Sequence, residues 1–477
     1  MRYMKRLFAP RAGYRLYSLC NCVAPVFGIA CCVFIMMTLP NGARSRTRPA
    51  YCIATPTQHS GRVYHVSPTG SDSNPGSEAR PFRTIQKAAN SVKPGDTVLV
   101  DDGAYTYSGP NDCHGKVVVC VSRGGAPDNW VVFRSKNKWG AKIDGGEGKA
   151  GAGFVVQGGA SYVRIQGFEM TGLANVNGSA GGIDLFDGGR YFQVIGNHIH
   201  NIGRVCTNTS NGQNGLFIEA DNVLVEANLI HDVGRLAPSQ QGCRPSNEYW
   251  KNHDHGVYHD GGDHVTIRNN IIYNIKQGWA IQVWPKSRAH MNILNNTIAF
   301  GNKHNGKFGA IVMWAPSNGG MKVSDSTIAN NIFYEVNTAA IWMGGASRGE
   351  PMRFANVRIS NNVISNGVLL SAEENVDASG LILADNLEKA DPKFADPAAF
   401  DFHLRSDSPA INAGLALSGV ANDYDGRVRP RGGHVDIGAY EHTDSSSRAA
   451  RLRAKPKAKP SDSNKAVNPN RLKGANR

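Results

Sequence analysis

The 477-residue chain contains no Cys-x-x-Cys pair, which argues against a zinc ribbon. Its first 60 residues contain no Asp or Glu against eight Lys and Arg, and residues 443–477 hold ten Lys and Arg against two acids. Residues 61–442 hold 34 basic and 36 acidic side chains, so the net charge of +14 belongs to the two ends. A near-neutral body without the motif of any nucleic-acid-binding module argues against DNA or RNA as the main partner. The composition is also wrong for a helical protein. Gly accounts for 54 residues and Asn clusters in short apolar segments, which predicts many tight turns between short strands.

Residues 1–45 read as a signal peptide or signal anchor. Arg2, Lys5, Arg6, Arg11 and Arg15 precede an apolar run at 19–39, the layout of an export signal. The run is long enough to span a bilayer uncleaved, although Asn21, Pro25 and Gly28 weaken an anchor. No clean Ala-x-Ala site marks a cleavage point either. In both cases the body is expected outside the cytoplasm, secreted or held at the cell envelope. Residues 46–61 are a linker. Five of nine cysteines lie in or beside the leader; Cys113 with Cys120 and Cys206 with Cys243 are expected to form local disulfides. In the tail, 443–477, Ser, Pro, Lys and Arg dominate and no apolar period survives. Disorder is expected there, with a charge suited to anionic envelope polymer or lipid.

The body repeats. The segments "YVRIQGFEM", "FQVIGNHI", "VLVEANLI", "VTIRNNII", "MNILNNTI", "STIANNIF" and "VRISNNVI" share one frame, with alternating apolar residues, a Gly or Asn turn and a second apolar pair. Asn197, Asn228, Asn270, Asn296, Asn331 and Asn362 occupy the same place in it. A coil of three short strands closes in roughly 20–30 residues, so the variable excess must go into loops. Asn at a recurring turn tolerates the left-handed region and can hydrogen-bond its stacked copies. The predicted fold is all-β, a solenoid over 62–405 closed by 406–442.

These motifs, with the opening "YHVSPTGSDSNPGSEARPFRTIQKAANSVKPGDTVLVDDGAY" and the ending "DFHLRSDSPAINAG…DYDGRVRPRGGHVDIGAYE", resemble secreted bacterial right-handed parallel β-helix proteins of the pectate-lyase-like superfamily. The resemblance spans roughly 62–442. It implies a capping helix near 82–92, a monomer, and activity on, or binding to, extracellular polysaccharide. It allows calcium as a cofactor, with no ligands assigned. No clustered-Asp calcium motif and no Asp-Pro-His-Asp stretch occurs, so no catalytic residue is carried over.

A second strand of each coil begins near a small residue, in "GIDLFD", "GLFIEA", "GVYHDG", "AIQVWP", "AIVMWA" and "AIWMGG". Stacking these sends Ile183, Leu216, Val257, Ile281, Ile311 and Ile341 inward. Strand alternation then turns Asp184, Phe217, Tyr258, Gln282, Val312 and Trp342 outward, followed by Phe186, Glu219, Asp260, Trp284 and Trp314. Such a strip of acids and indoles suits sugar rings, unless long loops cover it. The polar stretch "NHDHGVYHDGGDH" at 252–264 becomes one rung beside this strip, with His259 in an inward column.

Three chemistries compete for the rung. Elimination or epimerisation on a uronic-acid polymer would use Tyr258, His255 and His253 as base and acid, with Lys251, Lys286 or Arg288 neutralising the carboxylate. Glycoside hydrolysis would pair Glu219 with Asp260 in neighbouring coils, or Asp184 with Asp260. A metal on His253, His255 and His259 is the weakest of the three, and no metal ligands are assigned. The catalytic set is thus Tyr258, His255, Asp260, His253 and Glu219. The substrate-binding set is Trp284, Trp314, Trp342, Lys286, Arg288, Gln282 and Asp184. The expected activity is polysaccharide lyase-like or epimerase-like, against a glycoside hydrolase or a non-catalytic adhesive protein.

Overall fold

A short strand that buries Val, Ile or Leu on one face cannot stand alone, and stacking many such strands in parallel buries them together. The computed structural model describes residues 61–443 except 187, 208–209, 237–239, 241–242, 245–251, 276, 302–308, 317–319, 337, 346–348 and 374. The expected leader, the linker up to residue 60 and the tail from residue 444 lie outside the described residues. No helix among the described residues is long and apolar enough to cross a membrane.

The strands form three parallel sheets of thirteen, nine and ten strands, and the chain visits the sheets in turn. One coil runs through Ala180–Leu185 in the nine-strand sheet, Arg190–Ile195 in the thirteen-strand sheet and His198–His200 in the ten-strand sheet. The next coil begins with Gln213–Glu219, directly above the first strand. The predicted register holds: Ile183, Leu216, Val257, Ile281, Ile311 and Ile341 are successive Cα partners, all 0% exposed. Gly182, Gly215 and Gly256 line an inward column in which an added Cβ would lie 2.5–2.7 Å from the carbonyl of the next coil. That close approach explains why each strand opens on a small residue.

The Asn column is a buried ladder. Asn228 Oδ1 accepts the backbone N–H and the Nδ2–H of Asn197 at 2.9 and 3.1 Å, and Asn270 Oδ1 does the same for Asn228. The pattern continues through Asn296, Asn331 and Asn362 to Asn386. Each Nδ2 also donates to a backbone carbonyl of the preceding coil, as Asn228 does to Val194. One expectation needs correction. The left-handed residue is not the ladder Asn but the one before it: Gly196, Ala227, Asn269, Asn295, Asn330 and Asn361 have φ between 53° and 63°.

Those preceding asparagines have a second task. The parallel coils end at Leu387–Glu388, and the chain then turns into an antiparallel pair, Phe394–Asp396 with Asp401–Leu404. The closing segment therefore starts before residue 406. It runs back along the outer face of the ten-strand sheet, packing Phe394, Phe402, Ile437 and Tyr440 against Ile271, Tyr273, Ile332 and Val363. Asn269, Asn295, Asn330 and Asn361 donate to the backbone carbonyls of Asn422, Asp436, Leu415 and Ala413 in that segment.

At the other end, the capping helix is shorter than expected, Ile85–Ala89. Thr84 caps it by accepting the Lys87 N–H, and Ile85, Ala88 and Ala89 are buried. Gln86 imitates a missing strand: its Oε1 accepts the N–H of Cys120 and its Nε2 donates to the Cys120 carbonyl. This closes the edge of the nine-strand sheet, which otherwise offers unpaired backbone groups. Both expected disulfides, Cys113–Cys120 and Cys206–Cys243, are formed.

Replacing Asn296 by Ala would remove both bonds its Oδ1 accepts from Asn270 and the donors it sends to Ile267 and Asn331. The buried partners have no solvent to replace them, so a loss of about 2–4 kcal/mol is expected. Chemical denaturation of the purified variant measures it; a loss within error of zero would contradict the structural weight given to the ladder.

Candidate active site

The rung singled out in the sequence is held by an ion pair beneath it. Asp254 and Arg235 are both 0% exposed. The Asp254 carboxylate accepts the Arg235 Nη2–H at 2.9 Å, the Arg235 backbone N–H at 2.7 Å and the Gln213 backbone N–H at 3.0 Å. A buried carboxylate this fully bonded fixes the residues on either side of it. On one side stands half-buried His253. On the other stands His255, 2% exposed, whose ring stacks on Trp279 at 5.1 Å and 13°. The Trp279 backbone N–H donates to His255 Nδ1 at 3.2 Å, so the ring proton sits on Nε2, which is left to bond Gln282. Burial, then the neighbouring His253 and Arg235, holds the His255 pKa well below 6.5. Burial and Arg235 lower that of His253 too.

The strand Val257–Gly261 carries the rest. Val257 and His259 point inward and are 0% exposed, as the alternation predicts. His259 bonds the Gly262 carbonyl through Nε2 and lies in the inward column, on the face of the strand opposite the cleft, so it is not grouped with His253 and His255. Tyr258 is half-buried, with its ring edge against His255. Its hydroxyl bonds Asp260, and burial with that carboxylate raises its pKa far above 10. Asp260 is itself raised from 3.8 by burial, partly offset by the Tyr258 bond.

The pairing expected between Glu219 and Asp260 is altered by a bulge. Ile218 pairs with His259, but Glu219 pairs with Gly261, so Asp260 is the extra residue. Gly261 makes room for this, because an added Cβ would lie 2.8 Å from Glu219 Cγ. Glu219 forms an ion pair with exposed Lys286 at 2.7 Å. Lys251 lies outside the described residues.

Arg288 is corrected as a substrate contact. It is 2% exposed, and its guanidinium donates to the carbonyls of His259, Asp260, Trp284 and Ser287, pinning the bulge from behind. The outward aromatic strip is likewise only partly open. Trp342 (6% exposed) and Val312 (0%) are covered in a cluster with Trp279, and Gln282 is 9% exposed under His255. Trp314 stacks on Trp342 at 4.9 Å and remains half-buried, as does Trp284. What stays open is a cleft of about 500 Å³ lined by His253, His255, Tyr258, Trp279, Trp284 and Trp314, with Ser179, Asn211 and Asn252 among its polar groups. Asp184 lies two coils from Tyr258 in the same outward column. It folds over Gly181, and burial pushes its carboxyl up to about 7.

The family described as Pel9A-like, right handed beta helix region, matches residues 64–331. The chain belongs to this family. In Bacillus subtilis (strain 168) the uncharacterized protein YwoF is 23% identical over 446 residues, covering 74% of this chain and 92% of that protein. Among solved structures, pectate lyase Pel9A is 16% identical with a TM-score of 0.41, covering 80% of this chain and 96% of that one. A rhamnogalacturonan lyase is 15% identical with a TM-score of 0.43, covering 82% and 98%.

The donor set on this face of the family fold does not suit calcium, which asks for six to eight oxygens. Glu219 is tied to Lys286, Asp260 to Tyr258, and Asp184 lies back over its own strand. Among the described residues the group with metal-ligating spacing is on another sheet. Two contributors escaped the sequence reading, Trp279 and the Arg235–Asp254 pair. Trp279 lies two residues before inward Ile281, where strict alternation would turn it inward, and the alternation breaks at buried Ala280; Arg235 comes from a loop with no repeat to reveal it.

Asp184 gives a pH test. Its folded pKa of about 7 lies above the unfolded value near 3.9, so the native state favours the protonated acid. The stability it contributes is full below the unfolded pKa and lost as pH rises through about 7. Asp184→Asn should therefore gain in thermal midpoint relative to wild type between about pH 5 and about pH 8. A difference that stays flat across that range would show that Asp184 titrates normally.

Proposed function

We propose that this protein is a carbohydrate-active, lyase-like enzyme acting outside the cytoplasm on a polymer containing uronic acids. The observation that carries this reading is Tyr258 in an aromatic cleft, its hydroxyl bonded to Asp260 and the phenol held protonated. A phenol in that state is a proton donor, which favours acid over base for Tyr258 where the residue types alone leave both open. Family membership and the two disulfides, suited to an oxidising compartment, support the reading.

Elimination from a uronate removes the proton at C5, forms the C4–C5 double bond and expels the C4 oxygen. His253, kept neutral, supplies the lone pair that takes the C5 proton. Tyr258 gives its hydroxyl proton to the departing oxygen. Lys286 exchanges Glu219 for the substrate carboxylate and stabilises the negative charge that develops there. Trp284 and Trp314 offer indole faces to the C–H faces of sugar rings. His255 and Arg288 act through others, the first holding Gln282 and the second the bulge. Epimerisation would share the first step and differ only in returning a proton to C5 from the opposite face.

One observation favours glycoside hydrolysis as a second reading. Asp184, with a pKa of about 7, has the protonation of a general acid, and Glu219 and Asp260 lie in the next two coils.

A panel of uronate polymers, followed both for the ultraviolet absorbance of unsaturated ends and for reducing ends, separates the readings. The lyase reading expects both signals to rise together and Tyr258→Phe to lower kcat by about 10²–10⁴-fold. Trp314→Ala should act mainly on KM. Reducing ends without unsaturation, lost in Asp184→Asn, would replace the lyase with the hydrolase. Polymer binding without either signal would leave an adhesive protein.

A further inference from the structure

A second cluster lies on the outer face of the ten-strand sheet, away from the cleft. His198 and His200 alternate along one strand with buried Ile199 between them, and His231 stands opposite His200 in the next coil. Their ligating nitrogens all lie within 4.8 Å of one another, and His198 Nε2 is 2.8 Å from His231 Nε2.

The rings are braced from every side. His198 packs on Trp139 at 4.8 Å, and His231 stacks on Tyr273 at 4.6 Å and 6°. His198 and His200 stack on each other at 4.1 Å. Asp232 Oδ2 lies 2.7 Å from His231 Nδ1, and Glu169 Oε1 lies 3.2 Å from His200 Nε2. An Asp that accepts the Nδ1 proton leaves Nε2 of the same ring with its lone pair outward, the arrangement of carboxylate, histidine and metal. Both His200 and His231 keep 14% of their side chains exposed, so an ion can reach them.

We propose that His198, His200 and His231 form a binding site for a first-row transition dication, Zn²⁺ above all. Imidazoles select such ions over calcium or magnesium, which prefer oxygen. The ion replaces the hydrogen bond between His198 and His231, whose Nε2 atoms open slightly to sit at about 2.0–2.1 Å from it. His200 completes the set by releasing its contact with Glu169 or with Asn201. The site joins two successive coils on the stretch of sheet that the returning segment leaves free, next to Tyr273, which that segment stacks on through Phe400. It would therefore clamp the coils there rather than act in the cleft.

Isothermal titration of the full chain, stripped with chelator and desalted, tests this with Zn²⁺, Ni²⁺ and Ca²⁺. The expected result is one equivalent of Zn²⁺ bound, no Ca²⁺ competition, and a higher thermal midpoint with Zn²⁺. His198→Ala and His231→Ala should abolish that equivalent, whereas His264→Ala, in the separate stacked pair with His290, should retain it. Asp232→Asn, a milder change at the surface, should weaken binding about 10–100-fold. Co²⁺ added to the wild type should give the visible absorption of a low-coordinate nitrogen site, a readout that requires no variant. Absence of Zn²⁺ uptake and of the Co²⁺ spectrum in the wild type overturns the proposal. So does uptake that is unchanged in Asp232→Asn and in whichever His variant folds.

Discussion

A buried primary amide has two donors and an acceptor with no water to satisfy them, and in this protein the stacked copies one coil away, with one backbone carbonyl of the preceding coil, do so. The ladder from Asn197 to Asn386 therefore fixes where each coil must bend. In the coils of the ladder the chain has two residues between the thirteen-strand and ten-strand sheets, as at Gly196–Asn197 or Asn330–Asn331. Every insertion must go elsewhere. The longest stretch between consecutive described strands, residues 232–256, lies between the ten-strand and nine-strand sheets, and its last residues bring His253 and His255 to the cleft. The position of the candidate active site follows from the ladder's intolerance of insertions at its own corner.

The cleft depends in turn on charges that it does not expose. The Asp254 carboxylate accepts five hydrogen bonds, four from Arg235 and one from the Gln213 backbone N–H, and so holds Asp254 and its neighbours beside the cleft. Such a pair costs desolvation and adds little net stability, but breaking it by removing one partner is strongly unfavourable. Its value lies in geometry. Arg288 plays the same part at the bulge, where its guanidinium gathers the carbonyls freed when Asp260 is pushed out of register. Two buried arginines thus position a neutral imidazole and a protonated phenol without either cation facing the cleft.

Much of this was legible in the residues. Strand period and the Asn spacing were enough for the fold, for the inward columns and for the inward turn of His259, because each is repeated in several coils. What occurs once was not legible. The bulge at Asp260 depends on a single Gly261, and the burial of Trp342 and Arg288 depends on particular contacts, Trp314 and Val312 for one and the carbonyls of His259, Asp260 and Trp284 for the other. The roles of Tyr258 and His255 depend on which partner each finds, Asp260 for one and the Trp279 amide for the other. Residue type allowed either acid or base; the environment is what the proposed roles rest on.

The doubled asparagines carry one more piece of information. Where the pair reads Gly-Asn or Ala-Asn, at 196–197 and 227–228, the left-handed residue has no side-chain amide to offer. Where it reads Asn-Asn, at 269–270, 295–296, 330–331 and 361–362, the first amide reaches the backbone of the closing segment. Both versions satisfy the left-handed turn, since Gly and Asn tolerate it and Ala227 accepts it under constraint from the ladder. The difference lies in what must cover that face. Coils with the doubled pair display Ile271, Ile332 and Val363 on the outer side of the ten-strand sheet, an apolar surface that needs a cover. Coils without it display mainly polar side chains, Glu169, His198, His200 and His231, with Leu229 at the border packed against the closing segment's cluster. One dipeptide choice per coil marks how far the returning chain is held, and the polar patch it leaves bare is the one that holds the histidines.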